Sequence, residues 1–127
     1  MTRVLFDTDV IIDYLRGNKQ AIHYFESCDF DFYISAITIA ELYSGVKGDQ
    51  EREDLDFFLS LFTVLPVTAE IAVEGGILRQ TWHVCHGMGL ADALIASTAK
   101  VHEMNLASLN EKHFGMLDFL IVPYRKT

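Results

Sequence analysis

Cysteine is nearly absent from this chain, with only Cys28 and Cys85 in 127 residues. No disulfide is expected, and two scattered thiols suit a reducing cytoplasm. Proline is equally scarce, at Pro66 and Pro123 alone, and the chain carries no repeat, low-complexity stretch or linker. Positive charge is the third shortage. Ten Lys and Arg face 18 Asp and Glu, for a formal net charge of -8. A protein that coats nucleic acid through its overall charge should be basic, so that class is disfavoured. A local basic patch, a metal site or a basic partner is still allowed. Long apolar runs are also missing, because charges such as Glu41 and Asp92 interrupt the best candidates, and no membrane span is expected. Met1-Thr2-Arg3 runs straight into Val4-Leu5-Phe6, which does not read as a secretory signal. What is present is core-forming material. Half of the residues are hydrophobic, enough for one compact domain over 1–127.

Val4 to Phe6 is too short an apolar run for a helix and reads as a buried strand. Asp7-Thr8-Asp9 follows, then helical spacing from Val10 to Leu15 with Thr8 or Asp9 as its N-cap. Gly17-Asn18 breaks that helix. Further helices are expected over Gln20 to Ser27, Ile37 to Val46, Glu51 to Phe62, Glu70 to His86 and Leu90 to Glu103. Strands are expected at Phe32-Tyr33-Ile34, Val64-Leu65, Leu106 to Leu109 and Ile121-Val122. The two prolines mark strand ends, since proline cannot donate to a sheet ladder. Strands alternating with helices predict an α/β fold. The expected form is a three-layer α/β/α sandwich around a mostly parallel, five-stranded sheet with right-handed crossovers.

Three acids stand out. Asp7 directly follows the first strand, and open parallel sheets bind ligands beyond the carboxyl ends of their strands. It also suits a turn or cap. Glu41 sits within the apolar segment Ile37-Thr38-Ile39-Ala40-Glu41-Leu42-Tyr43. A buried ionised carboxylate there needs a partner or a metal, whereas a partly exposed helix face needs neither. Asp92 opens Ala91-Asp92-Ala93-Leu94-Ile95-Ala96, where an acid also favours the helix dipole. Converging carboxylates raise one another's pKa unless a cation joins them, and Mg2+ or Mn2+ prefers oxygen ligands. Spacing alone does not bring these three together.

A resemblance links them. Asp7-Thr8-Asp9-Val10-Ile11-Ile12-Asp13-Tyr14-Leu15 resembles the opening motif of PIN domains, in the form seen in VapC toxins. Ser35 to Gly45 is similar to the second acidic motif, Leu90 to Ala99 to the third, and Ser108-Leu109-Asn110-Glu111-Lys112-His113-Phe114 to the last. The closing Leu120 to Tyr124 is also familial, so the likeness spans almost the whole chain. It implies a metal-dependent endoribonuclease, the toxin of a toxin–antitoxin pair. Asp7 and Asp92 would be the principal ligands of Mg2+ or Mn2+, with Glu41 completing the pocket directly or through water. Thr8 and Thr38 would orient carboxylates or waters. The fourth motif departs from the pattern, with Asn110, Glu111 and His113 where many relatives carry an aspartate. Asn110 would orient Asp7 or a water, or serve as a turn residue. The implied partners are an RNA substrate, a VapB-like antitoxin that blocks the acidic cleft, and a second copy in a homodimer.

Two rivals stand beside it. Val4-Leu5-Phe6-Asp7-Thr8-Asp9 also resembles the opening of haloacid-dehalogenase-type phosphatases, with Asp7 as nucleophile and Asp9 as general acid. That motif continues Gly-Thr, whereas Val10-Ile11 follows here. The other is an inactive binding module that keeps the fold. His83 and His86 share a helix face without convincing zinc spacing. Arg16, Lys19, Lys47, Arg79, Lys100 and Lys112 form the pool for phosphate contacts. Phe57, Phe58, Phe62, Trp82 and Tyr43 read as core or interface.

Overall fold

The computed structural model describes residues 2–126. Its first strand, β1 (Thr2–Phe6), carries Val4, Leu5 and Phe6 at zero exposure. Successive strand side chains point to opposite faces, so three consecutive buried residues require cover on both sides. Helices α1 (Thr8–Leu15), α2 (Lys19–Ser27), α3 (Ala36–Ser44) and α4 (Gly48–Leu59) are interleaved with β2 (Phe30–Ser35). Then follow β3 (Thr63–Leu65), α5 (Ala69–His86), α6 (Leu90–Val101), β4 (Asn105–Ala107), α7 (Glu111–Phe114) and β5 (Leu120–Ile121).

All the pairings are parallel, and the five strands lie in the order β3-β2-β1-β4-β5. Val4, Phe6 and Ile34 face one way, onto Val10 and Ile11 of α1, Phe25 of α2 and Leu55 and Phe58 of α4. Leu5 and Leu106 face the other way, onto Leu78 of α5, Ile95 and Ala96 of α6 and Phe114 of α7. These are the three layers expected from the alternation of elements. Phe58 and Phe62 enter the first core, where Phe6 and Phe25 pack with ring centroids 4.8 Å apart. Phe57 instead stays 65% exposed.

Several element ends differ from the expectation. Helix α4 starts at Gly48 and stops at Leu59, and Phe62 is buried from the turn that follows. Strand β4 ends at Ala107, before Ser108 and Leu109. Helix α7 was not expected, because its four residues are too few to show a period. The cap of α1 is neither Thr8 nor Asp9 but Asp7, whose side chain accepts from the Thr8 N–H. Helix α5 runs through Gly75-Gly76 and ends at Gly87, whose φ of 66° suits a residue without Cβ. Among the described residues no helix is long and apolar enough to cross a membrane.

Candidate active site

The central strand places the first acid. Asp7 leaves β1 with its N–H on the carbonyl of Ala107, 2.9 Å away. The register that pairs Phe6 with Ala107 sets the next residues, Asp7 and Ser108, side by side. The Ser108 hydroxyl donates to Asp7 Oδ2 at 2.7 Å, and the Thr8 N–H donates to Oδ1 at 2.8 Å. Asp7 is only 6% exposed. Burial pushes its carboxyl up to about 7, helped by repulsion from Asp9 and, less strongly, from Asp92. The bonds from Ser108 and Thr8 oppose that rise without cancelling it. Two separate elements, α1 and α6, therefore bring negative charge to bear on one buried acid.

Asp9 turns inward. Its Oδ2 accepts from the Leu109 N–H at 3.1 Å and lies 3.4 Å from the Ser108 hydroxyl, while Oδ1 is buried without a hydrogen-bond partner. Burial raises its pKa. With Oδ1 buried and Oδ2 occupied by the Leu109 N–H, the half-buried Asp9 is poorly placed to serve as a phosphatase general acid.

Glu41 departs from the burial argument. It is exposed on α3, so no desolvation cost compels a partner. It is nevertheless held, because Thr8 Oγ1 donates to Glu41 Oε1 at 2.6 Å. The fully buried Thr38 places its own Oγ1 3.2 Å from the same hydroxyl. Thr8 and Thr38 thus tie α1 to α3 and fix where Glu41 stands.

Asp92 occupies the first turn of α6, where Oδ2 accepts from the Gly89 N–H at 3.2 Å. The same oxygen lies 2.9 Å from His113 Nδ1. In the fourth motif, Asn110 does not reach Asp7 and Ser108 takes that role. Asn110 caps α7 instead, accepting from the His113 N–H at 3.1 Å and setting its Nδ2 2.9 Å from His113 Nδ1. Glu111 turns away to Arg125, 3.2 Å off. Sequence reasoning named Asp9 as a cap or general-acid candidate and His113 as a fourth-motif residue, but it did not single out Ser108. The signal for Ser108 is positional, since it follows β4 as Asp7 follows β1, and it needs the strand order to be read.

Among the described residues, no three His, Cys, Asp or Glu side chains converge tightly enough to enclose an ion. Mg2+ does not require that, because it keeps several waters and binds through one or two carboxylates together with substrate phosphates. An oxygen-only donor set of carboxylates, with Asp92 adding to the repulsion on the buried Asp7, fits such a hard cation. His83 and His86 do not form a zinc site. Their Nδ1 atoms lie 3.1 and 3.3 Å from the carbonyls of Met88 and Lys112.

A groove of about 430 Å³ opens beside Glu41 between α1, α3 and α4, floored by Ile12, Leu42 and Leu55 with Arg16 and Lys47 along it. Of the candidate phosphate contacts, Lys100 pairs with Glu74. Arg16, Lys47 and Lys112 have no carboxylate partner among the described residues.

A family model for the PIN domain matches residues 4–120. Ribonuclease VapC10 of Mycobacterium tuberculosis is 37% identical over 124 residues, spanning 95% of this chain and 92% of that protein. A toxin–antitoxin complex from Klebsiella pneumoniae superposes with a TM-score of 0.86 at 30% identity, covering 97% of this chain and 99% of that one. The VapBC2 complex of Rickettsia felis, bound to a DNA fragment from its promoter, gives a TM-score of 0.78 at 26% identity, with 94% and 96% covered.

Proposed function

The chain belongs to the PIN domain family, and from that premise we propose that it is a metal-dependent endoribonuclease, the VapC-like toxin of a toxin–antitoxin pair. The observation that carries the site assignment is Asp7, buried at the carboxyl end of the central strand, with its pKa raised first by that burial and then by the repulsion of Asp9 and Asp92. Asp7 and Asp92 would hold Mg2+ or Mn2+, and Glu41, steadied by Thr8, would complete the pocket. When bound, the cation polarises the phosphodiester and stabilises the charge that develops on hydrolysis. The protein's own task is to keep the carboxylates apart, oriented and ready. Ser108 and the Thr8 N–H hold Asp7, Thr8 holds Glu41, and Gly89 holds Asp92.

RNA is the substrate in this reading, and the unpaired Arg16, Lys47 and Lys112 are candidates to meet its phosphates. The solved relatives are assemblies with antitoxins, and a VapB-like antitoxin and a second copy of the chain are the expected partners. The groove beside Glu41 offers such an antitoxin apolar surface leading from the acids. We assign the 127 residues to one domain working in the cytoplasm. The test is cleavage of RNA by the purified chain with Mg2+ or Mn2+, abolished by a chelator. Asp7→Asn or Asp92→Asn should retain the fold and lose at least about 100-fold in rate, since a cation contributes several kcal/mol of charge stabilisation. An Asp7→Asn protein that cleaves as fast as wild type contradicts the assignment.

A further inference from the structure

Asp92 has two unlike oxygens. Oδ2 accepts from the Gly89 N–H at 3.2 Å and faces His113 Nδ1 at 2.9 Å. Oδ1 has no hydrogen-bond partner among the described residues. One backbone bond, from the helix that carries Asp92, leaves the carboxylate free to swing, because such terminal torsions are broad. A second donor from a separate element fixes the plane. The imidazole is placed to be that donor. Asn110 grips the His113 backbone through Oδ1 at 3.1 Å. The C-terminus of α5 closes over the ring, where a Cβ on Gly87 would lie 3.5 Å from His113 Nε2. The His86 ring ties that same end of α5 to the Lys112 carbonyl at 3.3 Å. The ends of α5, α6 and α7 thus meet around one histidine.

We propose that His113 is a positioning residue: held by Asn110, it clamps Oδ2 of Asp92 and so leaves Oδ1 set for a divalent cation. This rests on reading Asp92 as a cation-holding carboxylate. The hydrogen-bond chemistry makes a sharp demand. Nδ1 has both Asp92 Oδ2 and Asn110 Nδ2 at 2.9 Å, and it can serve only one. An ionised carboxylate has no proton to give, so the clamp exists only with the hydrogen on Nδ1. In a neutral ring Nε2 is then bare, against Gly87. A hydrogen bond of this kind is what selects one ring nitrogen over the other.

Substitutions separate the donor from mere bulk. The Nδ2 of an asparagine side chain coincides with imidazole Nδ1, glutamine carries its amide one bond further out, and leucine carries no donor. Mn2+ binding to the full chain, followed by electron paramagnetic resonance, should weaken about 10- to 100-fold in His113→Leu, the usual cost of losing a group that orients a ligand. His113→Asn should restore most of the affinity and His113→Gln should not. At saturating Mn2+ the Leu variant should recover its cleavage rate, because the cation requirement moves and the chemistry does not. Equal Mn2+ affinity in wild type and the Leu variant overturns the proposal. A second readout needs no metal. Long-range proton–nitrogen spectra should show His113 with its hydrogen on Nδ1, and that signal should shift in Asp92→Asn. A ring protonated only on Nε2 overturns the clamp. If wild type neither binds Mn2+ nor cleaves RNA, the reading of the site fails, while the ring tautomer still decides whether His113 holds Asp92.

Discussion

Asp7 gathers in one side chain the opposing forces that make a buried acid useful. Its folded pKa stands at about 7 against an ordinary 3.8, with burial the largest cause. The unfolded chain therefore gives up this proton first as pH rises. The stabilising contribution is complete below pH 3.8 and is lost as pH climbs through about 7. In a chelator at pH 8 the ionised Asp7 should thus cost the fold on the order of a few kcal/mol. We expect Asp7→Asn to unfold at higher urea than wild type there, with the gap closing as the pH is lowered towards 4. Adding Mg2+ or Mn2+ at pH 8 should stabilise wild type by mass action and leave Asp7→Asn nearly unmoved. Equal stabilisation of both proteins would place the cation elsewhere. The sequence placed Asp7 directly after the first strand, where the structure has it. It did not point to Ser108, since that partnership spans 101 residues and depends on β4 lying beside β1. The argument for Glu41 from burial also did not hold, because α3 turns that residue outward.

At the scale of elements, legibility follows length. The longer helices and the buried strand Val4 to Phe6 declared themselves by period and by runs of apolar residues. Helix α7 spans four residues, too few for any pattern, whereas the two-residue β5 was legible through the proline after Ile121-Val122 and sits one residue earlier, at Leu120–Ile121. The residues after β5 carry a feature the pattern hid altogether. Tyr124 donates its hydroxyl to Asp13 Oδ2 at 2.9 Å, and Lys126 Nζ lies 3.0 Å from Asp13 Oδ1. Asp13 is 7% exposed on α1, the helix that starts at the candidate site. Burial and the Asp13 carboxylate hold the Tyr124 pKa above its ordinary value, so this phenol stays a donor. Tyr124→Phe leaves a buried carboxylate one donor short and should lower stability by about 1–3 kcal/mol. Urea unfolding at neutral pH measures this, and a loss below experimental scatter would mean that Lys126 alone satisfies Asp13. Gly87→Ala should cost roughly 1 kcal/mol in the same assay, because a φ of 66° is unfavourable for any residue with a Cβ.

For the whole molecule, charge and mechanism have to be reconciled. A chain of net charge -8 repels RNA at long range, so binding must rely on local cations, joined in the proposed reading by a divalent ion, and should weaken as salt rises. The same acidity favours an inhibitor with basic side chains. Replacing the Arg and Lys residues of the antitoxin's inhibitory segment should weaken inhibition of cleavage, and unchanged inhibition would remove the electrostatic part of that idea. In the proposed reading the acids also choose the nucleophile. A metal-independent ribonuclease uses acid–base groups to drive the RNA's own 2′-hydroxyl onto the adjacent phosphate. The five histidines would be the natural candidates, yet His83, His86 and His113 are each engaged with a carbonyl or with Asp92. Carboxylates with a divalent cation favour attack by water, which has no use for the 2′-hydroxyl. A single 2′-deoxy substitution at the scissile nucleotide should therefore leave cleavage intact under single-turnover conditions at saturating enzyme, where any loss of binding through that hydroxyl is hidden. The product ends should be 5′-phosphate and 3′-hydroxyl. A 2′,3′-cyclic phosphate, with no cut in the deoxy-substituted strand, would reassign the nucleophile to the RNA itself and return the histidines to the centre of the mechanism.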